Sequence, residues 1–185
     1  MPIPAFDDIL NILPPHLGDP RQRADLSPFS CTVAELCTRF ATTAKRKAIL
    51  DGFLNLRAEL FTLDIRGFQW LGGSFLEDIE AQERRDPGDI DAVTFVADPE
   101  NPAALSAKLV TKPELLSHAH IKGTYSVDHY WLSLGSQPVF LVDLTRYWYG
   151  LFSHRRDRVW KGMLVVELAD KSDDNAARIA LRSQP

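Results

Sequence analysis

GFQWLGGS, residues 67–74, and GDIDAVTFV, residues 88–96, are the two stretches of this sequence that decide the fold. The first stretch alternates aromatic and aliphatic side chains and ends in a glycine pair, which predicts a strand that leads into a tight turn. The second stretch carries an acidic pair and then β-branched and aromatic residues, which predicts another strand. The carboxylates of Asp89 and Asp91 are therefore expected at the start of that strand.

The acidic pair has the spacing of a metal site. Side chains on a strand alternate between its two faces, so Asp89 and Asp91 are predicted to share one face while Ile90 points into the core. Carboxylate oxygens are the ligands that Mg²⁺ prefers. Proteins that transfer nucleotidyl groups commonly use two divalent ions held by such carboxylates.

The glycine turn has the composition of a phosphate site. Gly72 and Gly73 allow backbone amides to approach phosphate oxygens, because no side chain stands in the way. The Ser74 hydroxyl adds a donor, and we expect the N-terminus of a helix over about residues 75–83 to add a favourable dipole. Strand, glycine turn, helix and acidic strand thus follow one another in the order that a nucleotide site requires.

The two stretches together resemble the signature of the DNA polymerase beta-like nucleotidyltransferase superfamily, carried here by Leu71-Gly72-Gly73-Ser74 and Asp89-Ile90-Asp91-Ala92-Val93. Longer runs resemble a small bacterial family within it and extend from about Phe40 to Leu168. They are GSFLEDIEAQERRDPGDIDAVTFV, IKGTYSVDHYWL and WYGLFSHRRDRVWKGMLVVEL. The resemblance implies a nucleotidyltransferase fold of α/β (α+β) class, with a small mixed sheet flanked by helices and an N-terminal helical region.

The resemblance also implies an activity. It predicts a Mg²⁺- or Mn²⁺-dependent enzyme that moves a nucleoside monophosphate from an NTP, ATP for example, to an acceptor hydroxyl on RNA, protein or a small molecule. Members of this kind suggest a bacterial regulatory, toxin-antitoxin or defence setting. An alternative from another class is a catalytically inactive module of the same fold that binds or neutralises a partner protein.

The superfamily uses a third carboxylate on a neighbouring strand, and two residues compete for this role. Asp128 in YSVDHYWL is predicted to lie within a strand, where it can face Asp89 and Asp91 as catalytic residue and metal ligand. Asp143 in FLVDLTRY is predicted at a strand end, where it is suited to cap a helix. We therefore favour Asp128.

Basic and histidine side chains near these motifs allow two interpretations each. Lys161 and three other basic residues are predicted to neutralise nucleotide phosphates or an RNA acceptor, or else to lie in a solvated turn. The histidines are not spaced as a zinc site, and His129 is expected to face away from Asp128. The other basic candidates are Lys122, Arg155, Arg156 and the turn HRRDR that contains the last two.

Local patterns predict the remaining elements. Thr32-Val33-Ala34-Glu35 has the form of a capping box that begins a short helix. Apolar residues at spacings of three and four predict a long helix over about residues 43–63, with its basic residues Lys45, Arg46, Lys47 and Arg57 on a solvated face. Further helices are expected over 101–110, 113–120 and 143–152, and further strands over 124–134, 139–142 and 161–168.

The predicted organisation has three parts. Six prolines in the first thirty residues indicate an extended arm over 1–30, which is followed by one domain over 31–170. A polar tail over 171–185 is expected to be a weak helix or disordered.

Composition excludes several classes of protein. The net charge of −4 and the pI near 5.7 provide no general positive field for nucleic acid or an anionic membrane. Cys31 and Cys37 suit neither a zinc site nor a redox motif, so both are expected to be reduced packing residues without a disulfide partner. No leader or membrane span is apparent, and a cytoplasmic location is expected. The preferred base and the oligomeric state are left open.

Overall fold

A five-stranded mixed sheet forms the centre of the structure, which is a computed structural model that describes residues 3–97, 102–169 and 171–183. The strand order is β1-β5-β2-β3-β4; β1 and β5 are parallel, β2 is antiparallel to both β5 and β3, and β3 and β4 are parallel. The predicted mixed α/β class with a small mixed sheet is confirmed. The strands are β1 (Phe29–Ser30), β2 (Gly67–Gly72), β3 (Ile90–Val96), β4 (Val127–Ser133) and β5 (Leu164–Leu168).

Seven α-helices flank this sheet within the described residues. Thr32 and Glu35 form the predicted capping box at the start of α1, so the N-terminal helical region begins where its sequence signal lies. The long helix α2 is confirmed, and Thr43 caps it. The helices are α1 (Val33–Phe40), α2 (Ala44–Thr62), α3 (Ile79–Glu83), α4 (Pro102–Val110), α5 (His118–Tyr125), α6 (Pro138–Phe152) and α7 (Ser172–Ser183).

The two faces of the sheet are covered differently. One face packs into the main core, to which α2 contributes most of its length. The other face carries Val93 and Phe95 of β3 and is covered by α6 through the buried Trp148 and Phe152. The strand residues that precede Val93 on this second face are the acidic ones, so the alternation along β3 places them beside α6 rather than in the main core.

The predicted exposure of two basic residues of α2 is wrong. Arg46 and Arg57 were expected on a solvated face of α2, but their exposed fractions are 2% and 0%. Both are neutralised by partners distant in sequence, Glu80 and Asp174, which no local pattern in α2 reveals. Burial of an ion pair is favourable only when its hydrogen bonds are satisfied, and these guanidinium groups also donate to backbone oxygens.

Three element boundaries also differ from prediction. Residues 75–83 do not form one helix, because a 3₁₀ turn over Ser74–Leu76 is separated from α3 by an extended Glu77. The predicted strand over 139–142 is absent among the described residues, since Pro138 begins α6 there. The segment 113–120 is a 3₁₀ turn over Pro113–Leu116 followed by α5, which occupies the first residues of the predicted third strand.

The described segments nearest the two ends of the chain pack against this core. Ile12 and Leu13 of the irregular N-terminal segment are buried, and β1 joins the sheet beside β5. The tail, predicted as a weak helix or disordered, forms the helix α7, in which Asp174 and Ala177 are buried. Predictions that involve Pro2, Asn101, Asp170 or residues 184–185 lie outside the described residues.

Two further expectations can be compared directly with the structure. Cys31 and Cys37 are buried, as expected of packing residues, and both are free thiols in the structure. Burial raises the pKa of each thiol to about 12, so neither is a reactive nucleophile near neutral pH. Within the described ranges, no helix is long and apolar enough to cross a membrane.

Candidate active site

Three carboxylates lie on one face of the sheet at the start of two neighbouring strands. Asp91 of β3 pairs in register with Asp128 of β4, because these strands are parallel and begin at the same edge. Asp89 immediately precedes β3, and Ile90 between the two acidic residues is fully buried in the main core. The predicted alternation of Asp89, Ile90 and Asp91 is therefore present.

The glycine turn closes over the carboxylate of Asp91. Gly72 at the end of β2 pairs with Asp91, and Gly73 follows with φ of +77° and ψ of −175°, a backbone conformation that is essentially restricted to glycine. A Cβ atom on Gly73 would lie 1.6 Å from Asp91 Oδ2. The side chain of Asp91 thus occupies the space that the missing Cβ leaves, and the turn and the acidic strand form one unit.

Lys122 joins two of the three carboxylates. Its ammonium lies 2.7 Å from Asp89 Oδ2 and 2.8 Å from Asp128 Oδ2, reaching them from the last turn of α5. The other oxygen of Asp128, Oδ1, is buried and accepts no hydrogen bond within the described residues; His118 Nδ1 lies 3.5 Å from it. The ammonium of Lys122 therefore balances part of the negative charge of the three carboxylates.

The carboxyl group of Asp91 is partly enclosed by the glycine turn. Burial, together with the charges of Asp89 and Asp128, raises the pKa of Asp91 to about 6, although Lys161 and Lys122 oppose this rise. A carboxylate in such surroundings gains from any additional positive charge, because both its desolvation and its repulsion by like charges favour the neutral form. Perturbed acids of this kind are frequent at functional sites.

A buried lysine supports the glycine turn from behind. Lys161 is 3% exposed; its ammonium donates to the Gly73 carbonyl at 2.9 Å and forms an ion pair with the carboxylate of Glu77. Arg46 of α2 donates in turn to the carbonyl oxygens of Phe75 and Glu77, at 2.7 Å and 2.6 Å. The backbone after Gly73 is thus fixed by two buried cations.

These groups line an open cleft with a volume of about 680 Å³, within the range of small-molecule sites. Its floor is formed by the three aspartates, Gly73 and Ser74, and the far wall by the basic turn after α6. A site of this size accommodates a nucleotide. The wall residues are Leu151, Phe152, His154, Arg155, Arg156, Asp157 and Lys161.

Not every predicted site residue takes the predicted position. Asp143 lies within α6, where its exposed carboxylate pairs with Arg146, so it neither caps the helix nor faces the aspartates. Ser74 lines the cleft but begins only a three-residue 3₁₀ turn, so the expected N-terminus of a longer helix is not beside it. Gly72 packs against Phe152, where a Cβ would lie 2.6 Å from a ring carbon.

Lys161 and His129 are both occupied by structural contacts. The ammonium of Lys161 already has two protein partners, which makes it a support of the turn in this structure. His129 faces the opposite side of the sheet from Asp128, as expected, and its Nε2 lies 2.7 Å from Thr94 Oγ1 in the core. Burial lowers the pKa of His129 to about 3, which keeps the ring neutral near pH 7.

The donor set has the chemistry of a divalent cation site, although its present spacing is not that of a coordination shell. Across residues 3–97, 102–169 and 171–183, no group of three or more His, Cys, Asp or Glu side chains is arranged to hold a metal ion. The three carboxylates and the ammonium between two of them nevertheless indicate a place for positive charge. Asp89, Asp91 and Asp128 are the residues that would hold a cation there.

Sequence reasoning missed several residues of this site. Glu77 and Arg46 carry no local motif, because their roles depend on contacts between α2, the glycine turn and Lys161. For Lys122, the sequence predicts contact with phosphates or an RNA acceptor, or a solvated turn, and not a bridge between carboxylates. Its position in the last turn of α5, six residues before Asp128, was the available signal, since a helix that ends just before a strand brings its last side chains to that strand's start.

The fold and the cleft define a mixed α/β protein with a carboxylate cluster beside a glycine turn. Comparison with known families shows that the chain belongs to DUF6932, described as a family of unknown function. The model of this family matches residues 4–167. No curated protein and no solved structure matches the chain.

Proposed function

We propose that this protein is a nucleotidyltransferase that depends on a divalent cation and transfers a nucleoside monophosphate from an NTP to an acceptor hydroxyl. The observation that carries the proposal is the convergence of Asp89, Asp91 and Asp128 with the Gly73 turn on the floor of one cleft. A cluster of carboxylates beside a glycine turn suits a triphosphate and its accompanying cation.

The proposed roles follow from position. Asp89, Asp91 and Asp128 hold the cation, and Gly73 and Ser74 face the phosphates. When bound, a divalent ion supplies charge neutralisation for the triphosphate and for the transition state. Asp128 also helps to activate the acceptor hydroxyl, since it lies beside Asp91 on the neighbouring strand.

The proposed reaction is an in-line displacement. A bond forms between the acceptor oxygen and the α-phosphorus, and the bond from the α-phosphorus to the bridging oxygen of the β-phosphate breaks. Pyrophosphate leaves with that electron pair. Lys161 and Arg46 contribute indirectly by fixing the backbone of the turn, so that amides near Gly73 do not have to reorganise during transfer.

Transfer of label from each α-labelled NTP to cell extract, in the presence of Mn²⁺, tests this proposal. Asp91→Asn and Asp128→Asn should each reduce transfer by about 100-fold or more, because each removes several kcal/mol of charge stabilisation. Asp143→Asn is the matched control, since the same chemical change falls on an exposed carboxylate of α6. Equal transfer by all three variants would exclude the catalytic assignment.

A second function, an inactive module of similar fold that binds a partner protein, is favoured by a specific observation. Lys122 satisfies Asp89 and Asp128 internally, which a purely structural site would also require. The two proposals differ in cation binding. Calorimetric titration that detects no Mn²⁺ bound to the wild-type protein, with or without a nonhydrolysable NTP, would favour the binding module.

A further inference from the structure

The contacts of Lys122 with two of the three carboxylates are not explained by the proposed reaction. Its ammonium lies within 2.8 Å of oxygens from both Asp89 and Asp128, so it bridges two acids that belong to different strands. The side chain remains 45% exposed, because it approaches along the edge of the cleft from α5. The bridge is therefore formed by a side chain that has room to move.

The place that this ammonium occupies is the one that a divalent cation would require. An ammonium and a hard metal ion both seek carboxylate oxygens, and two positive charges at the same oxygens repel each other. Lys161, the other lysine of the cleft, is in a different situation, because it is buried and bound to the Gly73 carbonyl and to Glu77. Only one of these two lysines can leave without disturbing the turn.

From this geometry we infer that Lys122 is an exchangeable counter-cation of the carboxylate cluster. It neutralises Asp89 and Asp128 in the absence of a divalent ion and is displaced from them when such an ion binds. The released ammonium stays at the cleft, where the phosphates of an incoming NTP are its partner. Lys122 is thus a positioning residue that links cation binding to nucleotide binding, and the inference rests on the proposed cation site.

Equilibrium binding of Mn²⁺, followed by the electron paramagnetic resonance of the free ion, tests the exchange directly and does not depend on turnover. Lys122→Gln should bind Mn²⁺ about tenfold more tightly than the wild type, because the ion no longer competes with an ammonium. Arg85→Gln is the matched control: it removes one positive charge from the same cleft, and its side chain is 48% exposed and paired with Glu83 rather than with the aspartates.

The result for the control variant separates exchange from general electrostatics. If Arg85→Gln increases Mn²⁺ affinity as much as Lys122→Gln does, a diffuse charge effect explains both and the exchange is wrong. If Lys122→Gln binds Mn²⁺ no more tightly than the wild type, the exchange is also wrong. Circular dichroism of each variant verifies that the fold is retained.

Nucleotide binding provides the second readout. With Mn²⁺ at saturation, Lys122→Gln should bind a nonhydrolysable NTP about tenfold more weakly, since one phosphate partner is lost. Unchanged NTP affinity would overturn this part of the inference.

Asp91→Asn distinguishes failure of the inference from failure of the proposed function. If Asp91→Asn weakens Mn²⁺ binding while Lys122→Gln leaves it unchanged, only the exchange is wrong. If neither the wild type nor Lys122→Gln binds Mn²⁺, both the cation site and the exchange are excluded.

Discussion

Gly73 is the residue on which the geometry of the cleft depends most directly. Its backbone conformation is open only to glycine, and its missing Cβ leaves the space that Asp91 Oδ2 occupies. Gly73→Ala should therefore lower the free energy of unfolding by about 1–3 kcal/mol from backbone strain. It should also displace the Asp91 carboxylate and weaken Mn²⁺ binding.

Gly88 provides the control for this prediction. It lines the same cleft, but no atom lies within 4 Å of the position that its Cβ would take. Gly88→Ala should change the free energy of unfolding by no more than about 0.5 kcal/mol. Urea denaturation of the two variants measures the difference, and equal stability would show that Gly73 is not constrained.

Burial of the single residue His129 makes the stability of the fold depend on pH. Its pKa falls from 6.5 to about 3 on folding, because burial disfavours the charged ring. The unfolded chain therefore binds this proton more readily, so stability that is complete above pH 6.5 is lost as the pH falls towards 3. The loss attributable to His129 approaches about 1.4 kcal/mol per pH unit within this window.

Comparison with His129→Gln isolates this contribution from the carboxylates, which titrate in both proteins. Urea denaturation at pH 7.5, 5.5 and 4.5 should show the wild type losing stability more steeply than the variant as the pH decreases. Parallel curves for the two proteins would mean that His129 is protonated without cost in the native state.

At the scale of elements, a buried ion pair joins α7 to α2 and the sheet, in addition to the contacts of Arg178 with α2. Arg57 Nη2 lies 2.6 Å from Asp174 Oδ1, and the same guanidinium donates to Gln69 and to the Glu167 carbonyl. Removal of one partner leaves the other charge buried and unpaired, which typically costs about 3–5 kcal/mol. Asp174→Ala should therefore destabilise the whole protein and release α7.

An exposed ion pair serves as the reference for that measurement. Asp143 and Arg146 on α6 have side chains that are 64% and 75% exposed, and pairs of this kind contribute about 0–1 kcal/mol. Asp143→Ala should therefore have little effect on chemical denaturation. Hydrogen exchange of α7 gives a second readout, and protection that survives Asp174→Ala would contradict the proposed attachment.

Over the whole molecule, sequence reasoning succeeded where the signal is local. The capping box at Thr32 and the periodicity of β3 depend on residues that are neighbours in the chain, and both predictions are confirmed. Long-range partners decide the rest. Arg57 and Asp174 are 117 positions apart, so the spacing within either helix contains no information about their burial.

The same distinction applies to the candidate site. The shared face of Asp89 and Asp91 follows from strand alternation, whereas the place of Asp128 depends on the parallel register of β3 and β4. The sequence favours Asp128 over Asp143 only through its predicted position within a strand, because it does not show which strands pair. Pro138 explains the wrong prediction around Asp143, because it begins a helix inside a run that was interpreted as a strand followed by a helix.

The carboxylate cluster also determines how the whole protein should respond to divalent cations. Ionised Asp91 is unfavourable in the native state near neutral pH, because its pKa is raised from 3.8 to about 6 by burial and by its acidic neighbours. The stability that protonated Asp91 contributes to the native state is therefore lost as the pH rises from 3.8 to about 6. Asp91→Asn should therefore raise the melting temperature of the cation-free protein at pH 7.5.

A cation that binds only the native state has the opposite effect on the wild type. At a Mn²⁺ concentration 100 times its dissociation constant, binding adds about 2.7 kcal/mol, or roughly 5–10 °C in a protein of this size. Asp91→Asn should lose this gain, whereas Asp143→Asn should keep it. Thermal melts of the three proteins at pH 7.5, with and without Mn²⁺, measure both effects. If Asp91→Asn melts below the cation-free wild type, the Asp91 carboxylate does not strain the native state. If Asp91→Asn keeps the full Mn²⁺ gain, that carboxylate does not bind the ion. If Asp91→Asn melts above the cation-free wild type and loses the Mn²⁺ gain, the buried charge that destabilises the fold also provides the cation site.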